Sequence, residues 1–245
     1  MDPVGVPPPA GLTSPSGYAY LQRLLLDRMG IVLEPGKEYL VEARLHALTQ
    51  AEGFRSVSAL LEALPMDERH GPLPRRAIEA MLNGETSFFR DHYPFEALRT
   101  TLLPKLLAAR AGTKSLNIWC AAAATGQEAY SVAMLLREAM PSLNEWSVHI
   151  VATDASEANL QRARAGVYRQ IEVNRGLPAT YLVKYFERLG EEWRVKDRVR
   201  EMVAFSHMNL IEPWPNHPRP DVIFLRNVLL YLCSVARRTI LQSVA

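Results

Sequence analysis

Cysteine is almost missing from this 245-residue chain: Cys120 and Cys233 are the only two, both in apolar, strand-like contexts. That gives no support to a disulfide framework and points to a reducing compartment, the cytoplasm. No apolar run approaches the roughly 20 residues of a membrane-spanning helix, so no membrane insertion is expected. The N-terminus has no basic stretch leading into an apolar one, so no secretory signal is expected. Neither sign of charge dominates: 28 Lys and Arg stand against 26 Asp and Glu, too even for a dedicated nucleic-acid binder. The six histidines (His46, His70, His92, His149, His207 and His217) show no metal-ligand spacing, and no metal is expected. No internal repeat is present.

What the chain does contain is two successive patterns. Residues 1–15 hold five prolines and few large apolar groups, the composition of a disordered leader. Apolar stripes at helical spacing then run through residues 16–82. They are Leu21, Leu24, Leu25 and Met29; Leu40, Val41, Leu45 and Leu48; Leu60, Leu61 and Leu64; and Ile78, Met81 and Leu82. Ser56 can cap the third of these helices, and Pro72 and Pro74 open the fourth. Residues 83–111 form a linker and a further helix from about Pro94. From residue 112 the rhythm becomes strand and helix.

Leu116–Cys120 is a short buried strand. Small residues follow, a turn falls at Thr125-Gly126, and apolar spacing near 3.6 resumes to Met134. Val148–Thr153 is a second strand, closed by Asp154, and Ser156 can cap the helix after it. This is the start of an α/β doubly wound sheet, in which ligands lie beyond the carboxyl ends of the strands. A carboxylate at the end of the second strand is placed to accept from ribose hydroxyls. The stretch from about 168 to 205 breaks the rhythm and reads as a small antiparallel insert carrying Tyr185-Phe186, Trp193–Val195 and Met202–Phe205. Asp221–Leu225 is another buried strand, with helix from Val228 onward. Residues 1–112 carry 12 basic and 13 acidic side chains, whereas 161–200 carry 10 and 5, so an acidic partner would meet the second region.

Four segments carry a resemblance. Gly84-Glu-Thr-Ser-Phe-Phe-Arg-Asp91, Ile118-Trp-Cys-Ala-Ala-Ala-Ala-Thr-Gly-Gln-Glu-Ala-Tyr-Ser131, Ala152-Thr-Asp154 and Phe224-Leu-Arg-Asn-Val-Leu-Leu-Tyr231 resemble, in order, the CheR-type protein-glutamate methyltransferases of bacterial chemotaxis. The resemblance implies a Rossmann-like methyltransferase sheet over 112–245 behind an N-terminal helical domain. It implies S-adenosylmethionine (SAM) as methyl donor, S-adenosylhomocysteine (SAH) as product, and glutamates in the cytoplasmic helical region of chemoreceptors as acceptors. Arg90 and Thr86 would hold the methionine end of the cofactor, Glu128 its ammonium, and Asp154 the ribose. Asn209 and Leu210 would border the adenine. Arg226, Asn227 and Tyr231 would lie near the methyl group and the acceptor, with Tyr231 and Arg226 as the catalytic pair.

Each residue also has a plainer use. Glu128 suits a helix first turn, Asp154 a strand-end Asx turn, Phe88-Phe89 and Tyr231 a core, and Asn209 and Arg226-Asn227 a loop. Cys120 has no neighbour that would lower its pKa. Three departures from the family pattern stand out. Asn83 lies one residue before the position where relatives often carry Asn, which is Gly84 here. The loop between Tyr185-Phe186 and Arg194-Val195 is shorter than in members that tether to a receptor's C-terminal pentapeptide, so no dependence on such a tether is expected. The family sheet also continues past Ala245, so two final strands are expected to be missing. Two other readings remain: a SAM- or SAH-binding module without turnover, and a methyltransferase acting on another protein.

Overall fold

Apolar stripes up to residue 82 and short buried runs after it give two separate cores in the computed structural model, which describes residues 15–67, 71–215 and 219–244. The proline-rich leader falls, apart from Pro15, outside the described residues, as do His70 and His217. Among the described residues, one compact unit comprises those up to Leu82 together with those from Leu230 onward; the other lies within Asn83–Leu229.

The helical unit contains α1 (Pro15–Met29), α2 (Glu38–Ala51), α3 (Val57–Asp67) and α4 (Leu73–Met81). The anticipated stripes face inward: Leu21, Val41, Leu45, Leu60, Leu61 and Leu64 are all fully buried. Ser56 caps α3, its hydroxyl accepting from the Ala59 N–H at 3.2 Å, and Pro74 sits in the first turn of α4. The last helix, Ser234–Val244, groups with this unit and buries Ala236 and Ile240. Helix was expected from Val228, but a short 3-10 turn, Leu229–Tyr231, comes first. The intervening Leu232 instead makes a β-bridge with Ile31.

The second unit opens with α5 (Tyr93–Ala97), a π-helical turn at Leu98–Leu102, and α6 (Leu103–Ala109). Pro104 in the first turn of α6 has no N–H to continue the ladder, so the single helix expected from 94 onward is interrupted here. Four parallel strands follow: β1 (Ser115–Ala121), β2 (Ser147–Asp154), and, later in the chain, Val203–His207 and Val222–Leu225. β1 is central, with β2 on one side and Val222–Leu225 on the other, and it is buried almost continuously, as strands covered on both faces are. The register sets Ala121 beside Thr153 and Leu225. The chain therefore leaves three adjacent strands at one edge, where an α/β sheet opens its ligand crevice. Helix α7 (Gln127–Ala139) connects β1 to β2, and α8 (Glu157–Ala165) leaves β2.

The insert begins after α8. Strand β3 (Val167–Arg169) leads through α9 (Gln170–Val173) and α10 (Ala179–Tyr185) to the hairpin β4 (Phe186–Leu189) and β5 (Glu192–Val195), giving an antiparallel sheet in the order β3-β5-β4. The insert ends earlier than the sequence suggested. After α11 (Asp197–Arg200), Val203–His207 (β6) pairs in parallel with β2, from Ile150↔Val203 to Asp154↔His207, and belongs to the main sheet beside β7 (Val222–Leu225) and the others. A half-exposed edge strand of five residues carries no pattern that names its partner; the pairing with β2 does.

Candidate active site

The small residues after β1 let the backbone turn tightly. Ala122, Ala124 and Gly126 have φ of +56°, +48° and +92°, conformations costing L-residues about 1–2 kcal/mol each and glycine little. The loop is pinned to β2 at two points: the Ala123 N–H donates to the Thr153 carbonyl at 2.9 Å, and the Ala124 N–H to Asp154 Oδ2 at 2.8 Å. A Cβ on Gly126 would stand 3.0 Å from Ala163 Cβ and 3.2 Å from Phe205 Cζ, so the helix start is pressed against α8 and β6.

Asp154 closes β2, 8 % exposed. Besides Ala124, it accepts from the Ser156 N–H at 2.9 Å and weakly from Asn159 Nδ2 at 3.4 Å, both on Oδ1. The Ser156 bond is the Asx turn expected of a strand-end aspartate. A carboxylate has about four lone-pair sites, so acceptor capacity remains on a group already held rigid. Burial pushes its pKa up, against the N–H groups of Ser156 and Ala124. Gly84 backs onto the same corner: a Cβ there would lie 3.0 Å from Asn159 Oδ1.

The segment 83–92 is anchored by its aromatics. Phe88 is fully buried, edge-on to Tyr168 at 5.0 Å and Phe186 at 5.5 Å. Phe89 packs against Phe95 and Tyr181, and its N–H donates to Ser131 Oγ at 3.0 Å. The core reading of these two rings is therefore correct, and it fixes the polar residues around them. Thr86 is half-buried and Ser87 buried. Arg90 is half-buried, and its side chain makes, among the described residues, one hydrogen bond, to the Glu85 carbonyl at 3.1 Å.

Arg226, just past β7, brings these pieces together. Its Nη1 meets Glu128 Oε2 at 2.9 Å, and its Nη2 meets the Arg90 carbonyl at 2.7 Å and Asp91 Oδ2 at 2.8 Å. The guanidinium also lies 5.5 Å over the Phe95 ring. Glu128, in the first turn of α7, is 12 % exposed at its side chain. Burial raises its pKa, and the charges of Arg226 and Arg90 oppose that rise.

Beyond β6, the Met208 N–H donates to the Asp154 carbonyl at 3.0 Å, which sets Asn209 and Leu210 next to the same strand end. Asn209 is buried and donates to Glu212 Oε1 at 3.0 Å. Leu210 is half-buried, and its carbonyl accepts from Trp214 Nε1 at 3.0 Å. Trp214 stands edge-on to Trp119 at 4.9 Å. Asn227 is exposed with φ +55°. Tyr231 falls in the helical unit, 39 % exposed, its carbonyl accepting from the Val32 N–H. Burial pushes the Cys120 thiol well up, which leaves no nucleophile there.

The residues that sequence reasoning passed over are partners of these. Asp91 ends the Gly84–Asp91 motif, and the resemblance implies no role for it. Asn159 follows from the Ser156 cap only once the helix is built. Tyr168, whose hydroxyl donates to the Thr125 carbonyl at 2.7 Å, reaches the loop from the insert, across 43 positions of sequence.

Comparison with known proteins agrees across nearly the whole chain. Residues 84–245 match the family "CheR methyltransferase, SAM binding domain", and residues 16–82 match "CheR methyltransferase, all-alpha domain". A chemotaxis protein methyltransferase 1 of Pseudomonas aeruginosa is 38 % identical over 226 residues, 90 % of this chain and 81 % of that protein. A chemotaxis protein methyltransferase of Vibrio parahaemolyticus is 38 % identical over 232 residues, 93 % and 82 %. One from Borreliella burgdorferi is 31 % identical over 225 residues, 90 % and 79 %. With both of its domains matched in order, the chain belongs to the CheR family of SAM-dependent chemotaxis methyltransferases.

Proposed function

We propose that this chain methylates glutamate side chains in the cytoplasmic helical region of chemoreceptors, working in the cytoplasm and holding SAM at the ends of β1, β2 and β7. The observation that carries the reading is the distribution of charge at those ends: a half-buried guanidinium, Arg90, with donors to spare, a largely buried carboxylate, Glu128, and a second one, Asp154, fixed by backbone N–H groups. This set fits a ligand with a carboxylate, an ammonium and a ribose. Arg90 and Thr86 take the carboxylate, Glu128 the ammonium, Asp154 the ribose hydroxyls, and Asn209 and Leu210 border the adenine. Arg226 and Asn227 close the methyl side.

When bound, the cofactor supplies a methyl group made electrophilic by its sulfonium. The acceptor glutamate, with an ordinary pKa near 4.3, is already ionised at neutral pH and needs no base. What the chain must contribute is alignment and partial removal of water. Arg226 suits this because Glu128, Asp91 and the Arg90 carbonyl already occupy three of its five N–H donors. A guanidinium so engaged can face an acceptor carboxylate without tying it up in a salt bridge. Tyr231 is assigned the orienting hydroxyl on the family resemblance alone, and Tyr231→Phe tests it through kcat.

No receptor-tail tether is needed in this reading. The hairpin β4–β5 turns through only Gly190 and Glu191, with Gly190 at φ +60°, and offers no longer loop. Calorimetric titration with SAH tests the site: Arg90→Ala and Asp154→Ala should each weaken binding, and unchanged affinity in both would remove the assignment. A receptor tail peptide binding at low micromolar affinity would remove the claim of independence. SAH binding without methyl transfer to receptor would favour a cofactor-binding module.

A further inference from the structure

We infer that Asp91 is a positioning residue for the cofactor's ammonium: it holds Arg226 off one oxygen of Glu128. The inference rests on the cofactor site proposed above. A guanidinium facing a carboxylate ordinarily closes a two-pronged pair that consumes both oxygens. Here the fork is split. Nη1 alone reaches Glu128, at Oε2, while Nη2 is drawn away to Asp91 Oδ2 at 2.8 Å and the Arg90 carbonyl at 2.7 Å. Among the described residues, Glu128 Oε1 accepts no hydrogen bond. That oxygen is the one left to meet an ammonium.

The backbone around Asp91 supports a purpose beyond folding. Phe89, Asp91 and His92 have φ of +48°, +65° and +44°, three residues with side chains in the left-handed region within four positions. Such outliers persist where the surroundings impose them and gather at functional sites. This turn aims one carbonyl and one carboxylate at the same nitrogen. The Asp91 side chain is itself 62 % exposed, so it fills no core. The net charge also matters. Arg226 with Glu128 alone sums to zero; with Asp91 the trio carries one negative charge, the complement of one ammonium.

Removing the Asp91 acceptor leaves Nη2 held by the Arg90 carbonyl alone, so that it can be drawn onto Glu128 Oε1 to close the two-pronged pair, in competition with the ligand. The test uses two probes on the whole chain. SAH carries the amino-acid end; 5′-methylthioadenosine keeps the adenosine and sulfur but lacks it. Asp91→Asn tolerates the left-handed backbone and removes the charge, and Asp91→Gly removes the acceptor and relaxes the backbone. Asp91→Gly should bind SAH on the order of tenfold more weakly, the loss expected for one charge-assisted hydrogen bond, and Asp91→Asn, whose amide oxygen still accepts, by a smaller factor; both should bind methylthioadenosine as the unaltered chain does. In turnover, KM for SAM should rise. Equal weakening of both probes would mean that the turn collapses, and unchanged SAH affinity would mean that Arg226 does not move; either result overturns the role. Failure of the unaltered chain to bind SAH would remove the cofactor site itself, and the role with it.

Discussion

Replacing Gly126 with Ala should damage the site without touching any charged residue. Two costs add. The backbone at Gly126 has φ +92° and ψ −2°, a left-handed conformation that costs a residue with Cβ about 1 kcal/mol relative to glycine. The new methyl would also stand 3.0 Å from Ala163 Cβ, 3.2 Å from Phe205 Cζ and 3.3 Å from Ala163 Cα. Neither neighbour has a flexible end that can swing away, since one contact is a methyl with its own backbone and the other the tip of a ring packed on Tyr130. Overpacking of this kind costs about 1–3 kcal/mol. The sum is about 2–4 kcal/mol, which for a unit of this size lowers the melting transition by roughly 5–15 °C. Because the displaced segment leads into Glu128, SAH affinity should fall as well. Thermal melts followed by near-ultraviolet dichroism, with and without SAH, measure both effects. A variant that melts within about 1 °C of the unaltered chain would refute the claim that this loop is held against α8 and β6 by the absence of a side chain.

Three further outcomes are expected. Tyr168→Phe leaves the buried Thr125 carbonyl without its 2.7 Å donor and should cost about 1–3 kcal/mol, read by urea unfolding. Asp154→Asn removes the acceptor charge but keeps the side chain's shape. It should weaken SAH, but less than Asp154→Ala, which also orphans the N–H groups of Ala124 and Ser156; an Asp154→Asn variant that binds SAH as the unaltered chain does would mean that Asp154 serves only as a strand-end turn. Glu128 must be ionised to meet an ammonium, and burial raises its pKa above the ordinary 4.5. The group loses binding competence on protonation, so SAH affinity should fall as pH is lowered, beginning above the range of an ordinary carboxylate. Titrations at stepped pH check this, and affinity that stays flat down to the ordinary value would contradict it.

How far the sequence carried the account depended on whether a signal was local. β1, β2 and β7 were legible because strands covered on both faces are short continuous apolar runs. The helical stripes were legible by period, and the Ser56 cap by its chemistry. β6 was misassigned to the insert because an edge strand of five residues is defined by its partner, β2, and not by its own alternation. The expected single helix after residue 93 broke at a π-helical turn, where the effect of Pro104 on the preceding turn outweighed an otherwise helical pattern. At the candidate site, the charged residues were legible one by one, but not their pairing. Glu128 and Arg226 are 98 positions apart and Arg226 and Asp91 are 135 apart, and only the sheet brings them within hydrogen-bond reach. The same holds for Tyr168 and the loop it supports. In each of these cases the missing information was three-dimensional adjacency, which spacing along a chain does not encode.

A chain that moves a methyl group from a sulfonium donor onto receptor carboxylates leaves methyl esters on its acceptor. The most direct measurement is base-labile label transferred from methyl-labelled SAM to chemoreceptor-containing membranes, alongside membranes whose receptor glutamates are replaced by alanine. Label is expected on the first, released as methanol by mild alkali, and none on the second. Label that resists alkali, label that persists on the alanine-substituted receptor, or no transfer by a chain that binds SAH would contradict it.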